Sequence, residues 1–155
     1  MPKLTVNEAS SGFTHAFRFD WTDILTTGFL TTGGAANQRV IGSLPPAAIV
    51  TNAALVQIVD PAGATDFTID FGVTASDPDE FLDNGDVDGA TKLLYNTGDA
   101  FVVTATGASV TLGGYANNTA SAVNLIMEFN GTNSSITAGE WAIVWTQLDP
   151  TGLIN

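Results

Sequence analysis

The stretch that decides the fold is TDFTIDFGVTASDPDEFLDNGDVDG, residues 65–89. At its start, apolar Phe67, Ile69 and Phe71 alternate with polar residues, which is the two-residue period of a half-buried strand. A glycine then breaks the pattern, and Asp77 opens a loop because the proline after it disfavours helical backbone. The stretch therefore predicts a strand with one core face and one solvated face, followed by a loop.

This loop is rich in carboxylates. Six of its residues are acidic: Asp77, Asp79, Glu80, Asp83, Asp86 and Asp88. Because calcium prefers oxygen ligands, Asp83, Asp86 and Asp88 form a candidate calcium site. The segment does not match an EF-hand, since Leu94 stands where that motif requires glutamate. The alternative is a solvated loop that keeps a sheet edge from pairing, and no other cofactor is expected.

The charge balance disfavours nucleic acid and membranes as partners. Sixteen acidic residues face four basic ones, Lys3, Arg18, Arg39 and Lys92, for a formal charge of −12. Phosphate binding requires clustered basic side chains, whereas these four are scattered singly along the chain. We therefore expect no nucleic-acid partner and no binding to an anionic membrane surface.

The sequence offers no catalytic constellation. It contains no cysteine, which excludes disulfides and thiolate chemistry. The single histidine, His15, is predicted to share one strand face with Phe13, Phe17 and Phe19, so simple packing is the preferred interpretation over metal binding. There is no Gly-x-Ser-x-Gly motif for a nucleophile. We expect no catalytic residues and no enzymatic activity.

Trp141 and Trp145 lie two residues apart in the last apolar segment and are predicted to face the same way. Such a pair forms a sugar-stacking platform in some carbohydrate-binding modules, but packing in the core is the favoured alternative. Because both faces of residues 140–148 are apolar, this strand is predicted to lie in the middle of a sheet or under a subunit contact.

Short strand-like segments separated by turn residues run along the whole chain. They are residues 13–19, 38–44, 48–59, 65–71, 101–106, 110–112, 122–130 and 140–148. Residues 20–30 are predicted to be a loop, with one helical turn capped by Asp20 or Thr22 as the alternative, and residues 90–95 a helical turn or a connector. This pattern is typical of an all-β antiparallel sandwich.

At 155 residues the chain fits one domain. We expect an N-terminal arm at residues 1–12, a single domain at 13–148 and a C-terminal tail at 149–155, with both termini able to pack on neighbouring subunits. The first residues lack the apolar run of a secretory signal, so synthesis in the cytoplasm is expected.

Three segments resemble pieces of tailed-bacteriophage virion proteins with a jelly-roll fold. They are the strand and Asp-Pro-Asp loop within residues 65–89, the Leu-Pro corner at 42–50 and the closing turn at 136–140. Together they touch most of the chain from residue 38 to residue 148.

The resemblance implies an all-β, antiparallel β-sandwich of jelly-roll type with about eight strands. It also implies a head decoration or cement protein, made in the host cytoplasm, that binds the major capsid protein on the outer capsid surface of the virion, forms a homotrimer and lacks enzymatic activity. The alternatives are a phage tail or fibre component and a non-catalytic carbohydrate-binding module.

Overall fold

A computed structural model describes residues 12–30, 33–63, 67–86, 93–95, 97–105, 108–111, 114–131 and 135–149. The predicted arm and tail lie outside these residues except for Gly12 and Asp149. The described part holds one helix, α1 (Trp21–Leu25), and eleven strands. The strands are β1 (His15–Asp20), β2 (Gln38–Leu44), β3 (Ile49–Ala62), β4 (Thr68–Gly72), β5 (Leu82–Asp86), β6 (Leu93–Tyr95), β7 (Val102–Ala105), β8 (Ala108–Thr111), β9 (Tyr115–Ala116), β10 (Val123–Asn130) and β11 (Ala138–Leu148).

The strands form two main antiparallel sheets. The first has the order β1-β11-β3-β6, with β9 also paired to β3, and the second has the order β2-β10-β4-β5. A separate hairpin joins β7 and β8. When the eight strands of the two main orders are numbered along the chain, the orders become 1-8-3-6 and 2-7-4-5. This is the strand order of a jelly roll, so the predicted fold class is confirmed.

Aromatic rings fill the space between the sheets. The Trp141 ring stacks on Phe19 with centroids 5.6 Å apart and meets the edge of Phe67 at 5.7 Å. The Trp145 ring lies 5.4 Å from that of Phe71. Both tryptophans are buried, and their strand, β11, lies between β1 and β3. The predictions of a central last strand and of core tryptophans are confirmed.

The prediction that residues 20–30 form only a loop is wrong at its start. The alternative, a helical turn capped by Asp20, is correct: the Asp20 carboxylate accepts hydrogen bonds from the backbone N–H groups of Thr22 and Asp23, at 2.8 and 3.1 Å. The Asp23 carboxylate accepts one in return from the Asp20 N–H, which completes a capping box. The helix ends after five residues at Leu25.

Three further segments are strands where the sequence predicted none, and the shortest is β9, which pairs with β3. The acidic loop ends earlier than expected because Phe81 and Leu82 are fully buried, and β5 then pairs with β4. Residues 93–95, predicted as a helical turn or a connector, form the edge strand β6. By contrast, β2 has the predicted bounds, and β3 runs three residues further than predicted, through the proline-containing turn.

The described helix is far shorter than the roughly 20 residues needed to cross a bilayer, and no helix in the described residues qualifies as a membrane span.

Candidate interaction surfaces

The two sheets turn chemically different sides outward. Since side chains alternate along a strand, the neighbours of the core residues face away from the sandwich. On the first sheet, two adjacent outward rows cross β1, β11, β3 and β6. The rows are Arg18, Ala142, Val56 and Leu93, and Ala16, Val144, Ala54 and Tyr95. These rows, with Ile58 and Val59 at the β3 bulge, are called the apolar face.

Large side chains on the apolar face are exposed at the β6 edge. Leu93 exposes 58% of its surface and Tyr95 exposes 51%. The Tyr95 hydroxyl donates to the Asn52 side chain at 2.7 Å, which fixes the ring beside β3. Phe13, predicted to share a face with His15 and Phe17, instead meets the edge of the Tyr95 ring at 6.4 Å. The chain therefore reaches β1 by way of the apolar face.

One ion pair borders the apolar face. Arg18 on β1 pairs with Glu140 on β11 through its Nε atom. Neither row contains a carboxylate, because every residue in them apart from Arg18 is Ala, Val, Leu or Tyr. The surface is therefore nearly free of net charge, although the chain carries −12.

The second sheet carries carboxylates on its outward side. Glu128 on β10 lies between Gln38 on β2 and Asp70 on β4, and Asn130 lies one outward position further along β10. We call these four residues the acidic face. The Gln38 amide donates from Nε2 to Glu128 and, at 2.7 Å, to the Ala75 carbonyl.

Asp70 is the most constrained member of the acidic face. Its carboxylate accepts hydrogen bonds at 2.6 Å from the Asn84 backbone N–H and from the Asn130 side-chain amide. Burial raises the pKa of Asp70 to about 6, and the negative charges of Asp83, Glu128 and Asp77 add to the increase. The prediction that this side of the strand is solvated is therefore wrong for Asp70.

The acidic loop between β4 and β5 is folded back and hydrogen-bonded. The Glu80 carboxylate accepts from the backbone N–H groups of Val73 at 2.8 Å and Thr74 at 3.3 Å. Two backbone hydrogen bonds then join the loop to the next turn, from the Asp99 N–H to the Asp79 carbonyl and from the Ala100 N–H to the Glu80 carbonyl. Burial raises the pKa of Asp79, and the negative charges of Asp77, Asp99 and Glu80 raise this pKa further. The carboxylates of this loop therefore lie close enough to repel one another.

The predicted calcium ligands are only partly described. Asp83 is exposed at the start of β5 and accepts a hydrogen bond from the side chain of Asn84. The side chain of Asp86 and the whole of Asp88 lie outside the described residues. In the part of the chain that is described, no group of three or more His, Asp or Glu side chains has the geometry of a metal site. The calcium site stays a prediction.

His15 lies at the exposed end of β1. Its ring stacks on Trp145 with centroids 5.3 Å apart, and Nδ1 lies 2.8 Å from the Thr14 hydroxyl. Partial burial lowers the pKa of this histidine. The packing interpretation for His15 accounts for these contacts.

Sequence reasoning missed the acidic face. Its members come from β2, β4 and β10, and Asp70 and Glu128 are far apart in the chain, so no local pattern could bring them together. The alternation signal does place Asp70 and Glu128 on outward sides of their strands, but it carries no information on which strands pair.

No protein-family model matches the chain, and no curated protein sequence matches it either. Among solved structures, the fold is similar to a chain of the "Cyanophage Pam1 capsid asymmetric unit", with a TM-score of 0.51 and 15% sequence identity. The match covers 85% of this chain and 80% of that chain. At this identity the similarity establishes a shared fold, which extends over nearly the whole sandwich.

Proposed function

We propose that this protein is a structural protein of a tailed-phage virion, and more narrowly a head decoration or cement protein that binds the outside of the capsid. The observation that carries the proposal is the shared fold with a chain of a cyanophage capsid asymmetric unit over 85% of the sequence. The sequence resemblance to jelly-roll virion proteins points to the same class.

The physical properties of the molecule suit this role. A cementing subunit needs a stiff body, because many weak contacts repeated over a lattice add up only when each copy holds its shape. Here the aromatic core joins both sheets, and the hydrogen-bonded acidic loop is tied to the turn at residues 98–101. We propose that this loop contacts the capsid, and that the partner is the major capsid protein.

A position in the tail or fibre is the second candidate, since the same fold would serve there. The carbohydrate-binding alternative loses its main support, because Trp141 and Trp145 are packed in the core and cannot present their faces to a sugar. We propose a non-enzymatic role on the virion surface.

Immunogold electron microscopy tests the proposal. Antibody raised against the purified chain is applied to particles from a lysate of the organism that encodes it, with pre-immune serum as the control. Gold spread evenly over the heads is the expected result. Gold confined to tails would replace the decoration role by the tail role, and unlabelled particles would overturn the assignment to the virion.

A further inference from the structure

We propose that the apolar face binds a second copy of this chain. The inference deepens the proposed function, because a subunit repeated over a virion has to meet its own copies somewhere. It assigns that contact to one side of one sheet, the side built from β1, β11, β3 and β6.

The distribution of exposed apolar side chains is the first argument. Seven large apolar residues are exposed in the described part of the chain, and six of them lie on strands of the first sheet. The six are Ile49, Ile58, Val59, Leu93, Tyr95 and Leu148, and four of them, Ile58, Val59, Leu93 and Tyr95, belong to the apolar face. The seventh, Leu25, belongs to α1, and β2, β10, β4 and β5 contribute none. A concentration of this kind on one sheet marks an association surface.

The distribution of charge on the chain is the second argument for self-association through the apolar face. Two copies that each carry −12 repel, and the repulsion is strongest where carboxylates would meet, as at Glu128 of the acidic face and at the exposed Asp83, both of which lie near Asp70. On the apolar face the cation Arg18 is already paired with Glu140. A copy of this chain can therefore approach on the apolar face without bringing unpaired carboxylates together.

Shape gives a third argument. The face is stepped: the large Leu93 and Tyr95 are exposed at its β6 edge, the small Ala16 is partly exposed on β1, and Ala54 and Ala142 between them are buried. A second copy provides a complementary surface, because the large side chains at the β6 edge of one copy can pack on the small side chains near β1 of the other. A contact between two different halves is heterologous, and heterologous contacts close into rings when the rotation between copies allows it, as a homotrimer requires.

Sedimentation velocity of the full chain over a wide concentration range tests the proposal, with Leu93→Asp as the disrupting variant. Leu25→Asp is the matched control, because Leu25 is also an exposed leucine but lies on α1. We expect the unaltered chain to self-associate, Leu93→Asp to raise the dissociation constant at least tenfold, and Leu25→Asp to leave it unchanged. A 16.0 kDa monomer at every concentration, or equal effects of the two variants, would overturn the proposal.

A second measurement tests the same contact without placing a charged side chain in it. Since the chain has no cysteine, Leu93→Cys and Leu25→Cys each introduce a single reactive thiol. The rate of reaction with a thiol reagent should fall with rising protein concentration for Leu93→Cys, because association covers the thiol, and stay constant for Leu25→Cys. Constant rates at both positions would contradict self-association through this face.

These outcomes separate the inference from the proposed function. Self-association without gold on any particle would leave the inference standing and remove the virion role. If the chain is a monomer in solution but antibody against it labels phage heads, the virion role stands and the self-association inference is overturned.

Discussion

Asp70 alternates with buried Ile69 and Phe71 along β4, yet its own side chain is also buried, with 5% of its surface exposed. The reason is the bulge in β5, where the register shifts between Ile69 and Phe71 and the Asn84 N–H turns towards the Asp70 carboxylate. Asn84 has a left-handed backbone with φ of 48°. An asparagine tolerates this conformation better than most residues, which lets the bulge form.

The raised pKa of Asp70 determines whether its contribution to the free energy of unfolding increases or decreases with pH. Its folded-state pKa of about 6 exceeds the ordinary aspartate pKa of 3.8, so the folded chain binds the proton more tightly than the unfolded chain does. The contribution of Asp70 to the free energy of unfolding therefore increases as pH falls from 7.5 to 4.5, by about 2 kcal/mol. Urea unfolding at several pH values should show this change for the unaltered chain relative to Asp70→Asn, which cannot titrate.

The absolute stability of Asp70→Asn is less informative, because its amide faces the Asn130 amide, and the pH dependence of the difference is the diagnostic quantity. Asp99→Asn, which removes an exposed carboxylate on a turn, serves as the control. Parallel stability curves for the unaltered chain and Asp70→Asn would show that Asp70 is an ordinary surface carboxylate.

Asn117 is a second residue that ties distant segments together. Its buried amide donates to the carbonyls of Leu44 and Ser121, each at 2.9 Å, and its side-chain oxygen accepts from the Thr119 N–H at 3.0 Å. We expect Asn117→Ala to lower the free energy of unfolding by about 3 kcal/mol, because it leaves buried backbone groups without partners. The neighbouring Asn118 is exposed, so Asn118→Ala should change stability by less than about 0.5 kcal/mol. Equal losses in the two variants would contradict this account.

At the level of elements, α1 depends on its N-cap. Five residues are too few for a helix to persist by itself, so the hydrogen bonds from Asp20 and the packing of Ile24 stabilise it. Asp20→Ala should therefore lower the free energy of unfolding by about 1 kcal/mol, which corresponds to a Tm lower by about 2–4 °C. Asp20→Asn retains a capping oxygen and should stay within about 1 °C of the unaltered chain in a thermal melt. A melt in which both variants behave alike would exclude capping as the cause.

The sequence is most informative where burial repeats with a regular period. β10 follows its predicted segment closely because Val123, Leu125, Met127 and Phe129 recur at every second position, and β2 ends where predicted because Pro45 and Pro46 follow it. β5 reads LDNGD and offers no such alternation, so its strand state depends on pairing with β4 and on the burial of Leu82, which local sequence does not encode. The edge strand β6 is three residues long, too short for any period to be visible.

For the whole molecule, the class of fold follows from the number of short segments and the turns between them, whereas the two interaction faces do not. Both faces exist only after strands distant in sequence pair, as Val56 does with Ala142 on one side and Leu93 on the other. The sequence does not indicate the apolar face, because Ala54, Val56, Ala142 and Val144 are residue types found throughout apolar strands. Only the sheet order shows that they turn away from the core.

The net charge and the apolar face together predict how association responds to salt. Each copy carries −12, so the approach of two copies is opposed by long-range repulsion that salt screens over about 10 Å at 0.1 M. The proposed contact contains no ion pair between copies that salt would weaken. Raising sodium chloride from 0.05 to 0.5 M should therefore lower the dissociation constant several-fold in sedimentation experiments.

The opposite response would identify a different contact. If the copies met through charged groups, for example by exchange of the Arg18–Glu140 ion pair, the same increase in salt would raise the dissociation constant. Arg18→Gln distinguishes the two cases, because it removes the basic partner of Glu140 and leaves every apolar residue of the two rows unchanged. An apolar contact predicts that this variant still associates more tightly at 0.5 M salt, since the added negative charge is then screened, whereas a charged contact predicts the loss of association at every salt concentration.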